Sequence, residues 1–254
     1  GQSCTISIRF APSAGGPRSG QLTVSGNWGA GNTVTLSGNG VADLSLSTTP
    51  IAFSDQRVGS LSAATTVTVS NTGTGALDIS SITTTGNFTS SSTCPASLPA
   101  SSTCSISVQF GPLARGTQYG AVTITSSATA SPHVVLLSGN GIAPTITLTP
   151  SSLSFPSVAI GGTSAPLTVT VSNQGDLQLL ISSISATAPY SQTHDCGASL
   201  AVSQTCTISV VFSPTTFATV PGTVTVAHDA IGSPHTVTLT GTGTGSFLSA
   251  NPTS

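Results

Sequence analysis

The sequence predicts an all-β protein made of tandem immunoglobulin-like, seven-stranded β-sandwiches arranged as a linear array. Three observations support this prediction: a repeat with a period of about 101 residues, short segments in which apolar and polar residues alternate, and the lack of any clear helical periodicity. A fixed period of this length is typical of units strung along a chain. Seven short strands in about 100 residues are typical of a sandwich.

The repeat is marked by a motif that begins with a cysteine. The pattern Cys-x-Ile-Ser-x-x-Phe-x-Pro occurs at 4–12, 104–112 and 206–214. A Gly-led strand follows each copy, and each unit closes on Leu-Ser/Thr-Gly-x-Gly. We therefore divide the chain into four segments: the C-terminal part of an incomplete repeat (1–41), two complete repeats (42–142 and 143–243), and the start of a following repeat or a tail (244–254).

Alternation of side chains locates the strands. Ile106, Val108 and Phe110 alternate with polar residues, and this pattern predicts a strand with one buried face. The segments Cys4–Phe10 and Cys206–Phe212 repeat the pattern and are predicted as strands too. The predicted strands of the first complete repeat lie near 44–48, 52–58, 65–71, 76–84, 103–110, 120–126 and 133–138, and those of the second lie about 102 residues later.

The cysteines form two equally spaced pairs and leave one over. Cys94 precedes Cys104 by ten positions, and Cys196 precedes Cys206 by ten. Such pairs predict two disulfides and an oxidising compartment, and they do not offer the four ligands of a structural zinc site. Cys4 has no partner in this sequence. We expect its partner to precede residue 1 in a longer array, and the alternative is a free reactive thiol.

Charge is scarce, and its scarcity limits the possible partners. Only 4% of the residues are charged, the net charge is −2, and the sequence contains no Lys and no Glu. Four scattered Arg residues give no basic surface for a nucleic acid. No apolar run reaches the ~18 residues that a membrane span needs. Near-neutral surfaces and sheet edges without Lys favour self-association, through edge strands or neighbouring repeats.

The order of motifs in the second complete repeat carries a family resemblance. The matching residues are Leu153, Phe155, Ile160, Gly161, Val169–Gly175, Cys206–Pro214, Gly222–Val226 and Leu239–Gly243. This series resembles the choice-of-anchor D type repeats of bacterial surface proteins. Those repeats are similar to the ASH/Hydin-like domains, which are related to the major sperm protein fold. The resemblance implies a bacterial, extracellular, multidomain protein, and it implies no activity.

Three groups of residues could in principle carry metal or catalytic chemistry. His228, Asp229 and His235 could meet across one hairpin as metal ligands, but the first repeat has Ser126 in place of His228. His133 and His235 both follow a Ser-Pro pair, and we interpret each as the start of a strand after a turn. The pair His194–Asp195 lies beside Cys196 and could activate a thiol. A disulfide explains Cys196 better, so we assign no catalytic, metal or cofactor residues and expect no cofactor.

Function is predicted from these patterns together. We expect a non-enzymatic structural repeat of an extracellular stalk, adhesin shaft or filament. The alternative is a glycan- or protein-binding immunoglobulin-like module of a secreted multidomain protein. Its weak candidate for a glycan contact is Trp28, whose other interpretation is a loop aromatic that covers the end of a neighbouring domain. Tyr119 and Tyr190 are the other aromatic candidates, and the three lie in separate units.

Overall fold

A computed structural model describes residues 2–12, 15–26 and 29–245, with the backbone alone for residues 29 and 30. The chain divides into two compact units, Gly1–Gly141 and Ile142–Ser254. All regular secondary structure in these ranges is β-structure, so the predicted all-β class is confirmed. Within the same ranges, no helix is long and apolar enough to cross a membrane. The four-segment division stays a prediction, and most of the predicted tail lies beyond the described residues.

The first unit contains a hairpin followed by a sandwich. The hairpin pairs β1 with β2, and the sandwich uses the ten strands after them. The bounds are β1 (Gly16–Gly26), β2 (Gly29–Gly40), β3 (Leu44–Leu46), β4 (Ile51–Ala52), β5 (Gln56–Arg57), β6 (Thr65–Asn71), β7 (Leu77–Thr84), β8 (Phe88–Ser92), β9 (Ser97–Leu98), β10 (Thr103–Phe110), β11 (Gly116–Ser126) and β12 (His133–Ile142).

Two sheets face each other in this sandwich. One has the order β3-β6-β10-β8, and the other has the order β4-β12-β11-β7-β9, with β5 also paired to β12. Strand β4 runs parallel to β12, whereas the pairs β6–β10, β8–β10 and β11–β12 are antiparallel. The strand β10, which carries the cysteine motif, is therefore central in its sheet and faces the β11–β12 hairpin across the core.

The second unit repeats this sandwich strand for strand. Its sheets have the orders β13-β16-β20-β18 and β14-β22-β21-β17-β19, with β15 paired to β22. The bounds are β13 (Ile146–Thr149), β14 (Ser152–Ser154), β15 (Val158–Ala159), β16 (Leu167–Asn173), β17 (Leu179–Ala186), β18 (Tyr190–His194), β19 (Ser199–Leu200), β20 (Thr205–Phe212), β21 (Thr219–His228) and β22 (His235–Thr244). The prediction of tandem immunoglobulin-like sandwiches is confirmed.

The structure adds strands that alternation does not predict. All seven predicted strands occur in each sandwich, although 52–58 is divided between β4 and β5. Strands β8 and β9, and their counterparts β18 and β19, are additional. Only Phe88 of β8 is buried, and the other four residues are exposed. This edge strand forms because β10 offers it a backbone partner, and its Thr and Ser side chains leave no periodic signal.

The prediction of a strand at Cys4–Phe10 is wrong. These residues lie outside every strand of the structure. In the complete sandwiches the corresponding strand pairs on both sides, as β10 does with β6 and β8. Counterparts of β6 and β8 would have to precede Cys4, and this sequence contains none. Without a neighbouring strand the backbone groups of the segment have no ladder to join.

The core of each sandwich lies between the central strand and the opposite hairpin. Phe110 stacks on Phe88 with ring centroids 4.9 Å apart, and Phe53 completes this cluster. The second sandwich has the same cluster, made by Phe155, Tyr190 and Phe212. Around the aromatic rings, the apolar residues of the central strand and hairpin are fully buried: Ile106, Val108, Val122, Ile124 and Val135 in the first, and Ile208, Val210, Val224, Val226 and Val237 in the second.

Candidate functional site

Two disulfides close matching loops in the two sandwiches. Cys94 bonds to Cys104, and Cys196 bonds to Cys206, each across a sequence separation of ten. Each bond joins the segment between the edge strand and the short strand after it to the start of the central strand. Cys4, at the equivalent motif position in the first 40 residues, is free and exposed. The two disulfides fit an oxidising compartment.

A buried asparagine fixes a turn in each sandwich. The Asn71 amide donates to the carbonyl oxygens of Gly75 and Leu98, and its Oδ1 accepts from the backbone N–H of Gly73. Asn173 makes the same three hydrogen bonds in the second sandwich. Each amide therefore ties the Asn-x-Gly turn to β9 or β19. Because every bond goes to the backbone, we assign these residues a structural role.

Glycines on the hairpin strands make room for the aromatic rings. A Cβ on Gly120 would lie 2.6 Å from the Phe88 ring, and one on Gly222 would lie 2.5 Å from the Tyr190 ring. The Tyr190 hydroxyl donates to the carbonyl oxygen of Val220, and burial raises the pKa of this hydroxyl. Tyr190 is 4% exposed, so the structure places this aromatic candidate in the core.

A histidine pair bridges the last hairpin of the second sandwich. His228 Nε2 lies 2.8 Å from His235 Nδ1. The backbone N–H of Ala230 donates to His228 Nδ1, so the proton of the neutral His228 ring is on Nε2 and is donated to His235. Burial lowers the pKa of His228, His235 lowers it further, and Asp229 opposes them. The hydrogen bond between the two rings therefore joins β21 to β22 at this end of the hairpin.

The third residue of the suggested metal set does not join this pair. Asp229 Oδ1 accepts the backbone N–H of Leu180. Among residues 2–12, 15–26 and 29–245, one group of three potential ligands converges, and it consists of Asp195, Cys196 and Cys206. Both of its sulfurs are in the disulfide, so they cannot bind a metal as thiolates. Neither group forms a metal site.

The residues His194 and Asp195 also serve the local fold. His194 Nδ1 bonds the carbonyl oxygen of Cys196, and Asp195 Oδ1 accepts the backbone N–H of Thr207 at 2.6 Å. The sulfur of Cys196 is bonded to Cys206. Since a nucleophilic cysteine needs a free thiolate, this arrangement does not offer one.

An exposed apolar patch of the first sandwich is not repeated at the aligned positions of the second. Tyr119 on β11 is 75% exposed, and Leu136 and Val134 on the neighbouring strand β12 are 60% and 43% exposed. We call these three residues the Tyr119 patch. The aligned residues of the second sandwich are Pro221, Thr238 and Thr236. The other exposed aromatic suggested by the sequence, Trp28, lies outside the described residues.

The repeated sandwich, with its central motif strand, matches one family model twice. The model is described as "Abnormal spindle-like microcephaly-assoc'd, ASPM-SPD-2-Hydin" and is called ASH; it covers residues 41–134 and 144–236. The chain belongs to the ASH family. Each match falls within one complete sandwich, so the structure contains two ASH repeats. No curated protein matches the chain.

Solved structures with weak similarity to the two ASH repeats include three from different settings. A protein of unknown function from Porphyromonas gingivalis W83 is 13% identical, with a TM-score of 0.35, over 78% of this chain and 99% of that one. PapD-like domain 7 of human CEP192 is 15% identical, with a TM-score of 0.31, over 40% and 87%. The surface layer protein SbsC, domains 4–9, is 13% identical, with a TM-score of 0.30, over 90% and 35%. Similarity this low transfers no function.

Sequence reasoning missed two features of the ASH repeats. It assigned no role to Asn71 and Asn173, although an Asn at the same position of both repeats is a usable signal. It also did not find the Tyr119 patch. The patch joins two strands whose register sets Ala121 opposite Leu136, and this pairing is known only from the structure.

Proposed function

We propose that the chain is a non-enzymatic structural segment of an extracellular stalk, adhesin shaft or filament, in the manner of bacterial choice-of-anchor D type repeats. The supporting observation is the duplication of the whole framework. Both ASH repeats have the same strand order, disulfide, buried asparagine and aromatic cluster. The features that the two sandwiches share all stabilise the fold. The Tyr119 patch and the histidine pair each occur in one repeat only.

Self-association belongs to the same proposal. The edge strand β8 exposes Thr89 and three serines, and it carries no charged residue. Its counterpart β18 likewise contains no Lys, Arg, Asp or Glu. Charged side chains are the usual device that prevents edge strands from pairing with other chains. We propose that these edges, or contacts between neighbouring repeats, are where copies of the chain associate.

Electron microscopy of the native protein tests this role. Antibodies raised against the 254-residue chain should label the outer surface of intact source cells, and negative staining should resolve thin projections or filaments at the labelled sites. Labelling that appears only after the cells are lysed would contradict the extracellular role. Catalytic turnover that a single Ser or Asp substitution abolishes would contradict the non-enzymatic one.

A second candidate function rests on the Tyr119 patch. An exposed tyrosine ring with apolar neighbours can stack on a sugar ring or on an apolar side chain of a protein partner. The patch is present in one ASH repeat and replaced by Pro and Thr in the other, as expected for a specific contact rather than a framework element. We propose it as the contact of a glycan- or protein-binding module. Trp28 remains a proposed glycan contact on the sequence argument alone.

Glycan-array binding separates the two candidates. The parent chain and Tyr119→Ser should be compared. Ser191→Thr, an exposed substitution on β18 outside the Tyr119 patch, is the control for effects of a surface substitution in general. Binding of the parent that Tyr119→Ser removes and the control retains would support the binding role. An array with no bound glycan, together with no partner in pull-downs, would leave the structural role as the better one.

A further inference from the structure

Residues 2–40 carry an apolar face that the complete ASH repeats bury. Ile6, Ile8 and Phe10 are each 51% exposed, and Val34 is 52% exposed. Their counterparts in the first complete repeat have no exposed surface: Ile106, Val108, Phe110 and Val135. Folded proteins seldom leave such a contiguous apolar surface open unless something binds it.

The framework beneath this face is the same as in the complete repeats. Gly20 pairs with Leu36 in the β1–β2 hairpin, as Gly120 pairs with Leu137 in β11–β12. The Phe10 ring lies against Gly38, where an added Cβ would be 2.6 Å from it. The rings of Phe110 and Phe212 lie against Gly139 and Gly241 in the same manner. The hairpin at the centre of one sandwich layer is thus in place, with the Phe10 ring against it.

The described residues among the first 40 differ from the complete repeats in this respect: no aromatic ring covers the hairpin glycine, Gly20. Phe88 covers Gly120 and Tyr190 covers Gly222, whereas a Cβ on Gly20 would meet nothing within 4 Å. In place of that ring is a groove of about 300 Å³, lined in part by Ile8, Phe10, Gly20, Leu36 and Gly38. We call it the Gly20 groove. The rest of its lining is Arg9, Arg18, Ser19 and Ser37, and its volume is large enough for one aromatic side chain.

The covering segment in each complete repeat has a second anchor. Phe88 lies six residues before Cys94, and Tyr190 lies six residues before Cys196. Those cysteines bond to Cys104 and Cys206, and the equivalent motif cysteine of the first 40 residues is Cys4, which is free and exposed. Two repeats of this chain therefore show which segment the Gly20 groove would accept.

We propose that the Gly20 groove binds a polypeptide segment from outside residues 1–254 that carries Phe or Tyr six residues before a cysteine. The segment adds a strand beside Cys4–Phe10, as β8 adds to β10, and places its ring on Gly20. Its cysteine then bonds to Cys4. This inference does not depend on the proposed structural role.

A second copy of the folded chain is not the expected occupant. Its two segments of this kind, Phe88–Cys94 and Tyr190–Cys196, are already bonded within their own repeats. The bond to Cys4 forms by exchange: the Cys4 thiolate attacks a mixed disulfide between the segment's cysteine and a small thiol. The sulfur–sulfur bond to Cys4 forms as the bond to the small thiol breaks, and that thiol leaves with the electron pair, so no oxidant is needed.

A synthetic peptide with the sequence of residues 86–94 tests the proposal. Its cysteine is supplied as the mixed disulfide with thionitrobenzoate, whose release by the full-length chain is followed by absorbance. The matched control is the same peptide with Phe88→Ser. We expect the Phe peptide to react with Cys4 at least ~10-fold faster at a sub-saturating concentration, which corresponds to about 1.4 kcal/mol of binding. Mass spectrometry should find the peptide on Cys4 alone.

Two variants of the chain complete the test. A Cβ at position 20 meets nothing within 4 Å, so Gly20→Leu can extend its side chain into the groove. It should abolish the preference for the Phe peptide while Cys4 still reacts. Cys4→Ser should bind the unmodified Phe peptide reversibly and not the Ser control. Equal rates for the two peptides, or a preference that survives Gly20→Leu, would overturn the proposal. So would a dimer of the parent chain whose formation Gly20→Leu prevents, because a second copy would then be the occupant.

Discussion

The histidine pair of the second ASH repeat should make that repeat acid-sensitive. His228 Nδ1 already accepts from Ala230, and its Nε2–H is used by His235, so a further proton on His228 breaks one of these bonds. Burial, and after it the neighbouring His235, hold the pKa of His228 below its ordinary value of 6.5. Since the unfolded chain takes up that proton near pH 6.5 and the folded one does not, the folded state loses stability as the pH falls.

The size of the effect follows from the proton balance. Well above pH 6.5, His228 is neutral in both the folded and the unfolded state, and its full contribution to the free energy of unfolding is present. Between 6.5 and the lower folded pKa, the unfolded state holds up to one extra proton, which removes at most about 1.4 kcal/mol from the free energy of unfolding per pH unit. For a sandwich of about 100 residues this lowers the melting temperature by at most roughly 6–11 °C per pH unit. Below the folded pKa the loss stops growing.

Differential scanning calorimetry of the whole chain measures this slope. The matched variant is His228→Ser, because the first ASH repeat has Ser126 at this position. The difference in melting temperature between the parent and His228→Ser at neutral pH is the reference. The change of that difference with pH measures the proton linkage. A melting temperature that falls equally with pH in the parent and in His228→Ser would refute the reasoning.

Three further predictions concern the framework. In thermal unfolding, Gly120→Ala should cost about 1–3 kcal/mol, because its Cβ would clash with the carbonyl oxygen of Thr85 and with the Phe88 ring. Gly20→Ala should be neutral or stabilising, and equal losses would contradict the packing argument. Asn173→Ala should cost at least about 2 kcal/mol in urea unfolding, since it leaves buried backbone groups without partners; a loss under about 0.5 kcal/mol would contradict this. Replacing Cys94 and Cys104 together with Ala should lower the unfolding free energy of the first repeat by about 2–3 kcal/mol, and an unchanged melting temperature would exclude loop closure as the source of stability.

The sequence was most informative where side chains alternate. The strand predicted near 65–71 and its counterpart about 102 residues later coincide with β6 and β16, because Val and Thr alternate there between core and surface. The cysteine spacing of ten was sufficient to predict both disulfides. These patterns are local, so a single sequence contains them.

Features set by distant partners could not be predicted in this way. The segment Cys4–Phe10 has the same alternation as β10 but forms no strand, because a strand also needs a neighbour. Conversely, β8 forms at a sheet edge without alternation. The pairing of His228 with His235 was suggested by the hairpin, but the hydrogen bond that Asp229 accepts from the backbone of Leu180 depends on the neighbouring strand β17.

The disulfides also set how far an unfolded repeat can extend. When a complete ASH repeat is pulled open, the ten residue steps between Cys94 and Cys104 stay inside a closed ring and add only the 4.9 Å between the two Cα atoms. At up to ~3.6 Å per residue, reduction of this bond would release roughly 31 Å more of extended chain. Tethered between two surfaces, the same polypeptide would therefore have a shorter maximum reach in an oxidising medium than in a reducing one.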